Sequence, residues 1–284
     1  MKLKRELEII KSIVKNGCSI EDLDEKEQTE RICMEAIKNN AYSLKYIKNQ
    51  TEKMCICAVK ENGCSLKYVK NQTPEICMEA IKEDAYSLEY VNDKNQTSEI
   101  CIEAVKQAGF TLKFVKNQTP EICLEAVKNN GLALRFVFHI EQTPEICLEA
   151  VKQDGFALQF VEEQTYDVCL EAVKQNGLAL QFVEDKTPDI CIEAIKNTLC
   201  AIDFVDTSLG FDFGHVIKYF EEEDFSISIY YAKIDNEYIF RIANHTKNIN
   251  KKEFIDLLYN FHDDTFPKDI NIRSKYIEFV NNLK

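Results

Sequence analysis

One phrase of polar and apolar positions recurs along this chain. From Thr143 it reads Thr-Pro-Glu, then apolar at Ile146, Cys147, Ala150 and Val151, with Glu145, Glu149 and Lys152 pointing the other way. An i, i+1, i+4, i+5 spacing lies on one side of a 3.6-residue period, so the phrase predicts an amphipathic helix of about three turns. Thr143 is a good N-cap, Pro144 suits the first helical position, and Glu145 sits at the positive end of the dipole. Gly155 stands where a left-handed residue would end the helix, and Gly63, Gly109, Gly131 and Gly177 occupy the matching place. Ala41, Ala85 and Leu199 replace it in three copies, which predicts slightly different turns there.

After the glycine comes a short apolar run, Phe156 to Val161, matched by Tyr42 to Ile47 and Leu178 to Val183. Helix and strand compete for so short a run. Helix is favoured, because the run lacks β-branched enrichment and a 22-residue period suits two short helices. Its Leu, aromatic and Val residues are expected to face the stack.

The phrase starts at Thr29, Thr51, Thr73, Thr97, Thr119, Thr143, Thr165 and Thr187, with successive starts 22, 22, 24, 22, 24, 22 and 22 residues apart. Such a period identifies a solenoid, whose units bury their apolar faces only by stacking. The expected fold is mainly α: an α-solenoid of about eight helix-turn-helix repeats of 22–24 residues, extending roughly 70–80 Å as a rod or arc. Residues 9 to 23 read as a worn copy, so 1–28 is expected to be a degenerate capping repeat and 1–205 the array.

The phrase fails after Val205. Residues 206–284 are expected to form a small α+β cap: a hairpin of residues 226–234 and 237–243 around Asp235-Asn236, then two helices. The first helix has capping-box spacing at Asn250 and Glu253, and the second runs from about Ser274 to Leu283. A hairpin alone is marginal in water, so it should pack on the last repeat.

The units from Thr119 to Val137 and their relatives resemble the short helical repeats of the DUF4116 family, a domain of unknown function found in bacteria and large DNA viruses. The likeness covers residues 29 to 205. It implies helical repeats and no assigned activity or catalytic residue; residues 206–284 resemble no family.

Chemistry-bearing residues change this picture little. Cys33, Cys55, Cys77, Cys101, Cys123, Cys147, Cys169 and Cys191 hold one equivalent position in eight units. Copies one repeat apart exceed the roughly 7 Å Cα limit of a disulfide, so they form a ladder of small buried residues. Cys18, Cys57, Cys64 and Cys200 are scattered, with no spacing that suits zinc. Asn49, Asn71, Asn95 and Asn117 begin Asn-Gln-Thr triplets, formally glycosylation acceptors, better read as a turn followed by a cap. His215, His245 and His262, with Asp263, Asp264 and the run Glu221-Glu222-Glu223-Asp224, are the types that acid–base or metal chemistry uses, in no recognisable spacing. An enzyme is not expected, and neither a metal nor another cofactor.

Exposed positions vary along the array, and there the copies disagree. One ladder reads Lys45, Lys67, Glu89, Lys113, Arg135, Gln159, Gln181, Asp203, drifting from basic to acidic while its aromatic neighbour changes from Tyr46, Tyr68 and Tyr90 to Phe114, Phe136, Phe160, Phe182 and Phe204. The junctions drift likewise, from Lys48, Lys70 and Lys116 to Glu162, Glu163, Glu184 and Asp185. Of the net charge of −13, residues 160–224 carry −11. A local acidic field speeds association with a basic partner and repels nucleic acid, although acid-rich surfaces also simply maintain solubility. The expected function is a non-enzymatic scaffold binding a basic protein or peptide along the ladder and acidic junctions, with no direct nucleic-acid contact. Two alternatives remain: repeats that target a C-terminal effector or enzymatic domain, and an acidic decoy or inhibitor of a nucleic-acid-binding protein. No run approaches 18 apolar residues and the start lacks a signal-like apolar core, so no membrane contact and a cytoplasmic location are expected.

Overall fold

The computed structural model describes residues 2–16, 20–205, 218–222, 225–234, 237–242, 249–259, 277–278 and 280–282. They fall into two compact units, Met1–Gln153 and Asp154–Lys284. The chain is mainly helical. His215, His245, His262, Asp263, Asp264, Glu223 and Asp224 lie outside the described residues, as do the Asp235-Asn236 turn and half of the expected helix from Ser274 to Leu283.

The first unit begins with α1 (Lys2–Asn16), whose Ile9 and Ile13 are buried. Then come five repeats, each a ten-residue helix followed by a six-residue 3-10 helix. The helices are α2 (Glu30–Asn39), α3 (Glu52–Glu61), α4 (Pro74–Glu83), α5 (Ser98–Gln107) and α6 (Pro120–Asn129). Their partners are Ala41–Tyr46, Gly63–Tyr68, Ala85–Tyr90, Gly109–Phe114 and Gly131–Phe136. The unit closes with α7 (Pro144–Gln153), and each helix packs on the next. In the second unit, Gly155–Phe160 precedes α8 (Tyr166–Gln175) with Gly177–Phe182, then α9 (Pro188–Asn197) with Leu199–Phe204.

Local chemistry explains the start of every repeat helix but α9, where Thr187 makes no side-chain capping bond. In α2 to α6, α7 and α8 the capping threonine accepts a hydrogen bond from the amide three residues on, as Thr119 does from Ile122 at 3.4 Å. The inward face of α6 is Ile122, Cys123, Ala126 and Val127, all essentially inaccessible. Burying each branched side chain contributes about 1.5–3 kcal/mol.

The second segment of each repeat is helical, and it is 3-10 rather than α. Its Leu and following Val or Ile are buried, as expected, whereas the aromatic between them is only half-buried. The two 24-residue repeats place their extra residues in one further 3-10 turn each, Asp93–Asn95 and His139–Glu141.

The glycines act differently from the expected left-handed terminators. The residue before each is extended, as Asn176 is at φ −149° and ψ 109°, and the glycine itself opens the 3-10 helix. It is needed for close approach: a Cβ on Gly177 would lie 2.4 Å from the Ala194 carbonyl oxygen and 2.8 Å from Thr198 Cγ2 in the next repeat. Ala41 and Ala85 begin 3-10 helices with the same preceding backbone, so these turns do not differ as expected. Gly177→Ala is expected to destabilise the protein by about 1–3 kcal/mol, read as a lower urea midpoint; an unshifted midpoint would refute the close-approach explanation.

Beyond the repeats, β1 (Lys218–Glu222), β2 (Phe225–Ile234), β3 (Glu237–Ile242) and β4 (Ile249–Asn250) form an antiparallel sheet in that order. Tyr231 pairs with Phe240 in the β2–β3 register. Helix α10 (Lys251–Tyr259) packs on β3 and β4 with Phe254 buried. Its start is a reciprocal capping box: the Glu253 amide donates to Asn250 Oδ1 and the Asn250 amide to Glu253 Oε2, both at 2.9 Å.

Candidate functional site

The variable ladder lies on the 3-10 helices, at their fifth position. In a 3-10 helix residues i and i+3 eclipse, which aligns the fifth position with the second along one ridge. In the first unit the second-position ring of one repeat meets the sixth-position ring of the next edge-on: Tyr42 with Tyr68 at 5.7 Å, Tyr86 with Phe114 at 6.5 Å and Phe110 with Phe136 at 5.9 Å. The second unit repeats this with Phe156 and Phe182 at 5.8 Å. These rings bridge adjacent repeats. Their second-position members were legible in the sequence only as apolar residues, since their partners stand 26 or 28 positions away.

Cations of the ladder lie over these rings. Lys67 Nζ is 4.9 Å from the centroids of both Tyr42 and Tyr68 and 5.8 Å from that of Tyr90, so three aromatics from three repeats surround one ammonium. Lys113 lies 4.6 Å from Phe114 and 5.8 Å from Tyr86, Lys45 5.2 Å from Tyr46, and the Arg135 guanidinium 5.1 Å from Phe136. Each such contact contributes about 0.5–1 kcal/mol at an exposed site. Lys45, Lys67, Lys113 and Arg135 are nonetheless exposed, as is Glu89 in their midst. The first unit therefore carries a ridge of cations held over rings.

In the second unit the same position behaves otherwise. Gln159 Nε2 donates to the Phe156 carbonyl at 2.9 Å and Gln181 Nε2 to the Leu178 carbonyl at 3.0 Å, folding both amides onto their own helix. Asp203 is exposed, and so are Glu162, Glu163, Glu184 and Asp185 at the junctions.

Beneath the ridge runs a second ladder, of glutamines at the repeat junctions where the sequence predicts a turn. Gln72 Nε2 donates to the Tyr90 carbonyl of the next repeat at 2.7 Å, and Gln72 Oε1 accepts from the Asn92 amide at 2.9 Å. Gln118 does the same with the Phe136 carbonyl and the Phe138 amide, at 2.7 and 2.8 Å, and Gln164 with Phe182 and Glu184, at 2.9 and 3.1 Å. One amide thus satisfies a donor and an acceptor where the chain leaves a 3-10 helix.

The cysteine ladder serves this amide. Cys55, Cys77, Cys123 and Cys169 direct Sγ at the Oε1 of Gln50, Gln72, Gln118 and Gln164, at 3.8, 3.7, 3.6 and 3.3 Å. All described cysteines are free thiols. Burial pushes Cys77 and Cys101 up to about 11 and Cys123 to about 12, so they stay protonated and are poor nucleophiles at neutral pH.

Among the described residues no group of three or more His, Cys, Asp or Glu side chains is placed to hold a metal, and no helix is long and apolar enough to cross a membrane.

The profile of one family, a domain of unknown function (DUF4116), matches residues 51–96, 73–119, 97–140, 119–165 and 165–209, which together span more than half of the chain. The chain belongs to the DUF4116 family. Each match starts at a capping threonine and covers about two repeats, and the matches over 73–119 and 97–140 each contain one aromatic pair and one glutamine bridge. No curated protein and no solved structure matches the chain.

Proposed function

We propose that this DUF4116 protein is a non-enzymatic, cytoplasmic interaction scaffold. Its 3-10 ridge, Lys45, Lys67, Glu89, Lys113, Arg135, Gln159, Gln181 and Asp203, and the junction acids Glu162, Glu163, Glu184 and Asp185 are the contact surface, and a basic protein or peptide is the partner of the acidic part. One observation carries this reading: core positions repeat from copy to copy, while charge changes at one exposed position of the 3-10 helices. Packing constrains the first set and leaves the second available to a ligand.

Residues 1–205 act as the array, with 1–28 as its N-terminal cap and 206–284 as an α+β cap on the last repeat. Contacts of β2 with α9 and with Leu199–Phe204 support the second assignment. In α1, Glu6 accepts from the Thr29 hydroxyl at 2.6 Å and Arg5 pairs with Glu27 at 3.3 Å, which supports the first.

Reversing Glu162, Glu163, Glu184 and Asp185 together to Lys in the full chain tests the acidic surface against a fluorescent oligolysine peptide. Affinity is expected to fall about tenfold or more at low salt, and by less at high salt as screening takes over. Unchanged affinity at both salt concentrations would remove the acidic junctions from the function.

A further inference from the structure

The ridge of the first unit differs in chemistry from the acidic junctions, and its geometry specifies a ligand of its own. Successive stacked helices lie about 8–10 Å apart. A polyproline-II helix has three residues per turn and rises about 3.1 Å per residue, so its side chains recur on one face about every 9 Å. The two periods agree. In an antiparallel or parallel strand, by contrast, same-face residues recur about every 6.6–6.8 Å and lose register with the repeats within a few rungs.

Polyproline-II ligands dock on aromatic-lined grooves, using their preformed extended backbone. Here the exposed rings of Tyr42 and Tyr86, 37% and 42% accessible, stand beside the cations that interdigitate with them. A cation fixed over ring faces loses less side-chain freedom on binding a carboxylate than one on a free tether. The ladder read in order is positive at Lys45 and Lys67, negative at Glu89, then positive at Lys113 and Arg135. Its complement is acid, acid, base, acid, acid.

We propose that the 3-10 ridge of residues 41–136 binds a polyproline-II segment of a partner protein that carries acidic side chains at every third position, with a basic one at the centre. The proposal rests on reading the repeat face as a partner surface, and uses residues separate from the acidic junctions. A single-stranded nucleic acid fits less well. Its uniform negative charge meets Glu89 at mid-ridge.

The test uses the full chain and a fluorescent peptide, Glu-Pro-Pro-Glu-Pro-Pro-Lys-Pro-Pro-Glu-Pro-Pro-Glu, followed by anisotropy at low salt. Saturable binding is expected. It should weaken at least tenfold for the double variant Lys67→Glu, Lys113→Glu, and for a peptide of the same composition with its acids clustered at one end. Circular dichroism of the variant checks that these exposed substitutions leave the fold intact. Reversing charge at one contact pair, with Lys67→Glu in the protein and Lys for Glu at the facing peptide position, should restore most of the loss. No saturable binding, equal binding of the clustered peptide, or tighter binding of oligouridylate to the same residues would each overturn the proposal. Loss of oligolysine binding alone bears on the acidic junctions, and loss of the acidic peptide alone bears on this ridge.

Discussion

Raising the pH from 8 to about 10.5 under reducing conditions is expected to unfold this protein, well below the range in which arginine titrates. The cause is the cysteine ladder. Burial holds Cys33, Cys55, Cys77, Cys101, Cys147 and Cys169 at about 11 and Cys123 at about 12 in the folded state, against 9.0 for an unperturbed thiol. Between those values the unfolded chain has released protons that the native state still holds. Stability is therefore complete below pH 9 and falls as pH rises from 9 toward 11, by about 1.4 kcal/mol per pH unit for each such thiol. Seven thiols acting together lose on the order of 10 kcal/mol in one unit, comparable with the whole stability of an ordinary domain. The Gln Oε1 facing Sγ at Cys55, Cys77, Cys123, Cys147 and Cys169 reinforces the effect, because a thiolate there would confront an acceptor.

Tyrosine and lysine also titrate in this window, so the decisive measurement is a difference. Cys77→Ala removes one titrating group, and its destabilisation relative to the parent at pH 8 is expected to shrink by about 1.4 kcal/mol per pH unit above 9. Urea melts at closely spaced pH values read this directly. A difference independent of pH would mean that the ladder thiols ionise in the folded state as easily as in the unfolded one.

The second large effect belongs to the glutamine ladder. Gln118→Leu is expected to cost about 2–4 kcal/mol, since it strands the Phe136 carbonyl and the Phe138 amide and takes away the acceptor of the Cys123 thiol. Gln118→Glu separates hydrogen bonding from packing. At pH 7 the carboxylate still accepts from Phe138, but it turns an oxygen toward the Phe136 carbonyl in place of the Nε2 donor 2.7 Å away. Protonation restores a donor, so this variant should approach the parent near pH 4 and fall behind as pH rises through the carboxylate range. Equal stability of Gln118→Glu and the parent at pH 7 would show that the bridge between repeats contributes little.

These two ladders mark where sequence reading runs out. Thr119 and Pro120 announce a helix start on their own, because capping is settled within one turn. Ile122, Cys123, Ala126 and Val127 announce an inward face through their spacing alone. Asn250 and Glu253 spell their capping box in four residues. Gln118 announces nothing of the kind, since its partners lie 18 and 20 residues ahead, and by position alone a polar residue before a cap is an ordinary turn residue. Gly177 was legible as a special position, yet for a reason inside its own repeat, whereas the constraint is the Ala194 carbonyl of the next one. Lys67 was legible as one rung of a drifting ladder, and its three rings come from three repeats.

Sequence by itself determined the repeat, the helix starts, the buried face and the burial of one cysteine per unit, because each of these depends on residues within a turn or two of one another. Tertiary structure alone decided which glutamine bridges which backbone, what the thiols face, why a glycine stands at the tightest approach and how cations sit among rings. Those are relations across the gap between stacked repeats. Their energies depend on distances of a few ångströms that no local pattern encodes.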